Sequence, residues 1–132
     1  MKKVSILIPA YNEQESLPLL YDKLTEVVGG LPQYEWEFMF VNDGSHDRTL
    51  EMLQELRAKD ARVNYVDLSR NFGKEVAMLA GFDYVSGDCV VIMDADLQHP
   101  PHMIAKFLEK WEEGYEDVYA VRKTRGKESK LR

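Results

Sequence analysis

A chain of 132 residues, of which 45% are hydrophobic and 30% charged, has the size and composition of one globular domain with a real core. It contains no apolar run near the roughly 18 residues that span a bilayer and no recognisable signal peptide. The net charge is −6, and nucleic acid is not an expected partner. The single cysteine, Cys89, excludes an intramolecular disulfide and is typical of a protein in the reducing cytoplasm.

Short β-rich runs and helical patterns alternate along the chain in the order β-α-β-α-β-α-β-α-β. The five predicted strands are residues 4–8, 36–41, 63–68, 89–93 and 118–121. The four predicted helices are residues 13–28, 47–58, 74–84 and a last one from Pro100-Pro101 to Gly114. Pro18 allows the first helix to begin a turn later, and Pro9 is expected to stop the first strand. This order predicts an α/β fold, with a mainly parallel sheet and helices on both faces.

Polar segments follow the first four predicted strands. They are residues 9–13, 42–45, 69–74 and 94–98. In open parallel sheets, ligands bind outside the carboxyl ends of the strands. Four polar loops at one edge of the sheet are therefore most simply interpreted as one site.

The last of these loops has the most informative pattern. The apolar run 89–93 ends in Asp94 and Asp96, followed by Gln98. Two acids at the exit of a buried strand repel each other and resist burial, and a divalent cation removes both problems. Carboxylate and amide oxygens suit Mg²⁺ or Mn²⁺, which complete their shells with water and substrate phosphate. The pattern predicts a metal–diphosphate site; the alternative is a turn in which Asp94 caps backbone groups and Asp96 is solvated.

Several other nucleotide-binding folds are excluded by their motifs. The chain has no Gly-x-x-x-x-Gly-Lys-Ser/Thr loop, and the first strand is not followed by a Gly-x-Gly-x-x-Gly turn. A phospho-acceptor receiver domain would need an acidic pair after the first strand, where this chain has Pro9-Ala10.

Four motifs together resemble a known family. Residues 4–13 (VSILIPAYNE), 41–49 (VNDGSHDRT), 68–74 (LSRNFGK) and 94–101 (DADLQHPP) are similar to family 2 glycosyltransferases. The nearest branch contains the polyprenyl-phosphate glycosyltransferases, such as dolichol-phosphate mannose synthases and undecaprenyl-phosphate sugar transferases. The resemblance implies a GT-A (Rossmann-like) fold. It also implies inverting transfer of a sugar from a nucleotide-diphosphate sugar to a polyprenyl phosphate, at the cytoplasmic face of the membrane in a full-length relative.

The resemblance also implies roles for residues of the site. Asp94 and Asp96 correspond to the catalytic acids. Asp96 and Gln98 correspond to the contacts with the metal and the diphosphate, and Asp94 to the acid that either holds the nucleotide ribose or assists the metal. Asp43 corresponds to the carboxylate that hydrogen-bonds the edge of the base. The other nucleotide-binding residues implied are Pro9, Tyr11, Glu13, Gly44, Lys74 and Arg122. Plainer interpretations stay open for three of these: a first-turn acid at Glu13, a simple turn at Gly44 and a solvated cation at Lys74.

We expect residues 1–121 to form a nucleotide-sugar-binding GT-A half-domain, truncated after about the fifth strand. Residues 122–132 form a basic segment with six basic side chains against one acidic. This segment either meets phosphates or an anionic membrane surface, or is a solvated terminus.

Members of this family usually continue further, so the contacts with the polyprenyl phosphate are expected in a C-terminal region beyond these residues. On that view the chain alone has weak or no transferase activity, and exposed apolar surface leaves a homo-oligomer open. The alternative function is a non-catalytic nucleotide-sugar-binding or assembly module. Resemblance around residues 71–74 favours a UDP-sugar donor and undecaprenyl phosphate.

Overall fold

The computed structural model describes residues 1–95 and 103–114, in which strands and helices alternate. The strands are β1 (Lys3–Ala10), β2 (Glu35–Asp43), β3 (Val63–Leu68) and β4 (Cys89–Ile92). The helices are α1 (Leu17–Gly29), α2 (Thr49–Lys59), α3 (Lys74–Phe82) and α4 (Met103–Glu112). The predicted strand at 118–121, the basic segment 122–132 and the Pro100-Pro101 helix start lie outside the described residues, and the division at residue 121 stays a prediction.

The described strands form one sheet in the order β3-β2-β1-β4, and every neighbouring pair is parallel. All four carboxyl ends therefore lie along one edge. Positions 4–10 of β1 and 36–43 of β2 are buried without interruption, as expected for strands covered on both faces. The predicted α/β class with a mainly parallel sheet is confirmed.

The buried residues of α1 and α4 follow helical periodicity. The buried residues of α1 are Leu17, Leu20, Leu24 and Val28. On α4 the described stripe buries Ile104 and Leu108, with Phe107 and Trp111 packed partly against the core. The apolar spacing in the sequence was therefore sufficient to place these two helices against the sheet.

Most element boundaries differ by a few residues from the sequence prediction, and two of the differences have a clear physical reason. Helix α1 begins at Leu17 rather than residue 13, because the carbonyl of Glu13 accepts the N–H groups of Ser16 and Leu17 in a preceding turn. Strand β1 does not stop at Pro9 but pairs with β2 through Ala10. The register explains why proline is tolerated. Pro9 lies on the side of β1 that faces β4, where pairing ends at Leu7, so its missing N–H breaks no ladder bond.

Helix α3 leaves part of its surface apolar and exposed. Val76, Leu79 and Phe82 are 45%, 67% and 36% exposed. The homo-oligomer suggested from the sequence stays a prediction.

None of the helices within residues 1–95 and 103–114 is both long enough and apolar enough to cross a bilayer.

Candidate functional site

A cavity of about 240 Å³ opens at the carboxyl edge of the sheet. Loops after all four strands contribute to it, so the topology brings together segments that are distant in sequence. It is lined by Pro9, Ala10, Tyr11, Glu13, Asp43, Asn71, Gly73, Lys74, Asp94 and Ala95. Six of these were predicted for the site, namely Pro9, Tyr11, Glu13, Asp43, Lys74 and Asp94. Asp96, Gln98 and Arg122 lie outside the described residues.

The loop after β1 is held against the loop after β2 by reciprocal hydrogen bonds. The N–H of Asn12 donates to Ser45 Oγ at 2.9 Å, and the N–H of His46 donates to Asn12 Oδ1 at 2.8 Å. Asn12 has a φ of 52°, a left-handed conformation that asparagine tolerates. This arrangement holds Tyr11, whose 41% exposed ring stands edge-on to His46, as one wall of the cavity.

Glu13 precedes helix α1 and does not lie in its first turn, so the interpretation as a first-turn acid is wrong, and its role in nucleotide binding stays a prediction. Its carboxylate accepts the Ser16 hydroxyl at 2.8 Å, within the turn that precedes α1. Its backbone N–H donates to Thr49 Oγ1 at 2.9 Å, which ties the first loop to the start of α2, and the residue also lines the cavity.

Asp43, at the end of β2, is 3% exposed and is surrounded by N–H donors from the loop after β3. The backbone N–H of Phe72 donates to Oδ1 at 2.8 Å, and that of Gly73 donates to Oδ2 at 3.0 Å. The side-chain amide of Asn71 donates to Oδ2 at 3.0 Å and to the Asp43 carbonyl at 3.1 Å. The carboxylate therefore fixes the segment that leads directly into α3 and Lys74.

Gly44 serves this same packing. It has a φ of +68°, and a Cβ atom there would lie 2.2 Å from the Arg70 carbonyl carbon and 2.2 Å from the Asn71 nitrogen. Gly44 does not line the cavity; the close backbone approach that it permits is with the chain's own 70–71 peptide.

Lys74 and Asp94 form an ion pair across the cavity, with 2.8 Å between Nζ and Oδ1. The Asp94 side chain is 10% exposed and that of Lys74 is 47% exposed. The pair partly relieves the cost of burying an acid at the end of β4. It also places an ammonium group, a phosphate-binding group, at the mouth of the site.

The predicted metal site remains a prediction. Within residues 1–95 and 103–114, no cluster of three or more His, Cys, Asp or Glu side chains could hold a metal ion. Asp94 offers a hard oxygen donor of the right kind to a ligand in the cavity. Asp94 forms a site suited to Mg²⁺ or Mn²⁺ only together with Asp96 and Gln98, which lie outside the described residues.

Sequence reasoning gave no site role to Ala10, Asn71, Gly73 or Ala95, all of which line the cavity. The polar character of residues 69–74 marked that loop, but nothing in the sequence shows that Asn71 bonds Asp43. Arg70, a basic residue of the same loop, places its guanidinium 4.9 Å from the Phe72 ring centre. It does not line the cavity.

Residues 5–132 match the protein-family model described as "Glycosyl transferase family 2". The chain belongs to this family. Its relatives include the putative glycosyltransferase CsbB of Bacillus subtilis (strain 168), 46% identical over 123 residues, which are 93% of this chain and 37% of CsbB. The bactoprenol glucosyl transferase of Shigella phage SfX is 39% identical over 130 residues, 98% of this chain and 42% of that protein. The chain thus spans less than half the length of these relatives.

Solved structures share the fold. The mannosyltransferase PcManGT from Pyrobaculum calidifontis, in complex with GDP-Man and Mn²⁺, has a TM-score of 0.72 at 23% identity over 89% of this chain and 34% of that one. Glucosyl-3-phosphoglycerate synthase from Mycobacterium tuberculosis, in complex with Mn²⁺, UDP and glucosyl-3-phosphoglycerate, has a TM-score of 0.62 at 26% identity over 89% and 42%. The predicted GT-A-like fold is confirmed.

Proposed function

We propose that this chain carries the donor half of an inverting glycosyltransferase that moves a sugar from a nucleotide-diphosphate sugar to a polyprenyl phosphate. One observation carries the proposal: a family 2 chain places Asp43, Lys74 and Asp94 around one cavity at the carboxyl ends of its strands. The cavity combines acceptors that suit a base with a cation that suits a diphosphate.

Different residues of the cavity bind different parts of the donor nucleotide. Pro9, Tyr11 and Asp43 bind the base and ribose, because they combine apolar and aromatic surface with a buried acceptor. Lys74 contacts the diphosphate, since its ammonium is the one cationic group among the described lining residues. Arg122, outside the described residues, is proposed as a second phosphate contact.

Asp94, Asp96 and Gln98 are proposed to hold Mg²⁺ or Mn²⁺. A bound divalent cation would neutralise the negative charge that grows on the leaving diphosphate. Both solved complexes described above contain Mn²⁺, which supports this choice. Lys74 keeps the Asp94 carboxylate oriented at the cavity.

The proposed acceptor needs little activation by the protein. A phosphomonoester oxygen is already anionic near neutral pH, so no strong general base is required of the chain. The name of the phage relative, a bactoprenol glucosyl transferase, supports a polyprenyl phosphate as the acceptor class. We place the reaction of the whole protein at the cytoplasmic face of the membrane, where contacts with the lipid come from a C-terminal region.

Calorimetric titration with UDP and with GDP, each with and without Mn²⁺, tests this function. We expect metal-dependent binding that Asp96→Asn removes and that Lys74→Ala weakens by about 10-fold or more, because a charge-assisted contact with phosphate is lost. Lys23→Ala is the matched control, since Lys23 is an exposed lysine on α1 and does not line the cavity. Equal affinities in the Lys74 and Lys23 variants, or no binding of either nucleotide, would contradict the proposal.

A further inference from the structure

The carboxylate of Asp43 is the buried acceptor that faces the proposed base pocket, and much of its hydrogen-bonding capacity is already used. Oδ1 accepts the Phe72 N–H at 2.8 Å. Oδ2 accepts two donors, the Gly73 N–H at 3.0 Å and the Asn71 side-chain amide at 3.0 Å. The chain's own donors therefore limit the number of hydrogen bonds that Asp43 can accept from a ligand.

An ionised carboxylate accepts about four hydrogen bonds, two at each oxygen. Within the described part of the chain, Oδ2 has both positions filled and Oδ1 has one filled. A ligand in the cavity thus finds one acceptor position on Asp43, and it lies on Oδ1.

The common bases differ in how many donors they present to a carboxylate. Guanine offers two adjacent donors, the ring N1–H and the 2-amino group, which match the two oxygens of one carboxylate. Uracil offers a single donor, its N3–H, between two carbonyl oxygens. A carboxylate with one oxygen saturated suits the single donor, whereas guanine would leave its amino group without an acceptor.

We propose that Asn71 is a positioning residue that determines base specificity: its side-chain amide saturates Oδ2 of Asp43, so that the site selects uracil nucleotides over guanine nucleotides. This inference rests on the proposed function and specifies its donor class. Asn71 acts through Asp43 and needs no contact with the base.

The geometry of the loop allows the role of Asn71 in base selection to be distinguished from a general loss of structure. The path of the loop is set by the Phe72 and Gly73 backbone bonds to Asp43 and by the close approach of Gly44 to the 70–71 peptide. Removing the Asn71 side chain leaves these backbone contacts in place. It frees one acceptor position on Oδ2, next to the open position on Oδ1.

The test compares UDP and GDP affinities, measured by calorimetry with Mg²⁺, for the wild type, Asn71→Ala and Asn64→Ala. Asn64 is the matched control, because its side-chain amide also donates to a buried carboxylate, Glu37 Oε2 at 3.0 Å, but at the opposite end of the sheet. We expect the wild type to bind UDP at least about 10-fold more tightly than GDP, and Asn71→Ala to narrow that ratio by about 5-fold or more. Asn64→Ala should leave the ratio unchanged.

The outcomes separate this inference from the function on which it rests. If the wild type binds GDP as tightly as UDP, the inference that Asp43 and Asn71 select the base is wrong, but the proposed donor site is still supported. If Asn71→Ala weakens both nucleotides in parallel, Asn71 is only structural and the inference is overturned. If neither nucleotide binds the wild type, the proposed function itself fails. The wild-type ratio tests the inference even where the Asn71 variant does not fold.

Discussion

Asp43→Ala is expected to abolish detectable nucleotide binding and to lower the free energy of unfolding by about 2–4 kcal/mol. The variant removes the acceptor for three N–H groups of the 71–73 loop, two of them from the backbone. Burial amplifies the effect, since water does not readily replace a carboxylate that is 3% exposed. Urea unfolding followed by tryptophan fluorescence measures the stability, and titration with UDP measures the binding.

Asp67→Ala provides the comparison for Asp43. Asp67 lies on the neighbouring strand β3 and is exposed, and it accepts the Asn42 side-chain amide at 2.9 Å. Losing this contact should cost about 0.5–1.5 kcal/mol and leave binding intact. An Asp43 variant as stable as the Asp67 variant, with normal UDP affinity, would show that the carboxylate neither fixes the loop nor serves the site.

Glu37→Ala is expected to be similarly destabilising, by about 2–4 kcal/mol, yet to leave nucleotide affinity unchanged. Glu37 is a second buried carboxylate on β2, near the end of the strand opposite to Asp43. It accepts the Ser5 hydroxyl at 2.6 Å, the Ser86 N–H at 3.0 Å and the Asn64 amide at 3.0 Å. These bonds join β1, β2, β3 and the segment before β4, away from the cavity of the candidate site.

The contribution of Glu37 should depend on pH. Burial raises its pKa, but the hydrogen bonds from Ser5, Ser86 and Asn64 outweigh burial and hold the pKa below the ordinary value of 4.5. The stabilisation is therefore fully present above that ordinary value and is lost as the pH falls through the lower folded-state pKa. The stability difference between wild type and Glu37→Gln, measured by urea unfolding at pH 7 and then stepwise into acid, should shrink. A difference that stays constant down to about pH 2 would contradict this account.

Periodicity predicted the α/β fold, and the rule for strand ends predicted which loops line the cavity. Apolar runs of strand length and helical spacing placed the four described strands and α1 to α4 in order. The rule that ligands bind at the carboxyl ends of parallel strands then marked the loops 9–13, 42–45, 69–74 and 94–98, and residues from all four do meet around one cavity. Within those loops, the family resemblance and not the rule pointed to Tyr11, Asp43 and Lys74. These inferences succeed because each depends on local pattern and on the handedness of β-α-β connections.

The partners of the site residues could not be inferred in the same way. The pairing of Lys74 with Asp94 depends on how α3 packs against β1 and β2, and the bonds from residues 71–73 to Asp43 depend on the path of a loop. The reason for Gly44 was also tertiary, since the 70–71 peptide that passes over it is some 26 residues further along the chain. Composition and residue spacing do not show which distant segments contact each other in the fold.

The proposed function requires the cavity at the carboxyl edge to bind a nucleotide diphosphate together with a divalent metal ion. A second cavity, of about 430 Å³, lies at the opposite edge of the sheet and is lined by residues that include Lys3, Trp36 and Arg62. Amide resonances of the ¹⁵N-labelled chain, recorded during titration with UDP and Mg²⁺, distinguish the two places. We predict shifts at Tyr11, Gly73 and Asp94, and selective broadening near Asp94 when Mn²⁺ replaces Mg²⁺. Shifts confined to the opposite edge, or no shifts at saturating UDP, would contradict the claim.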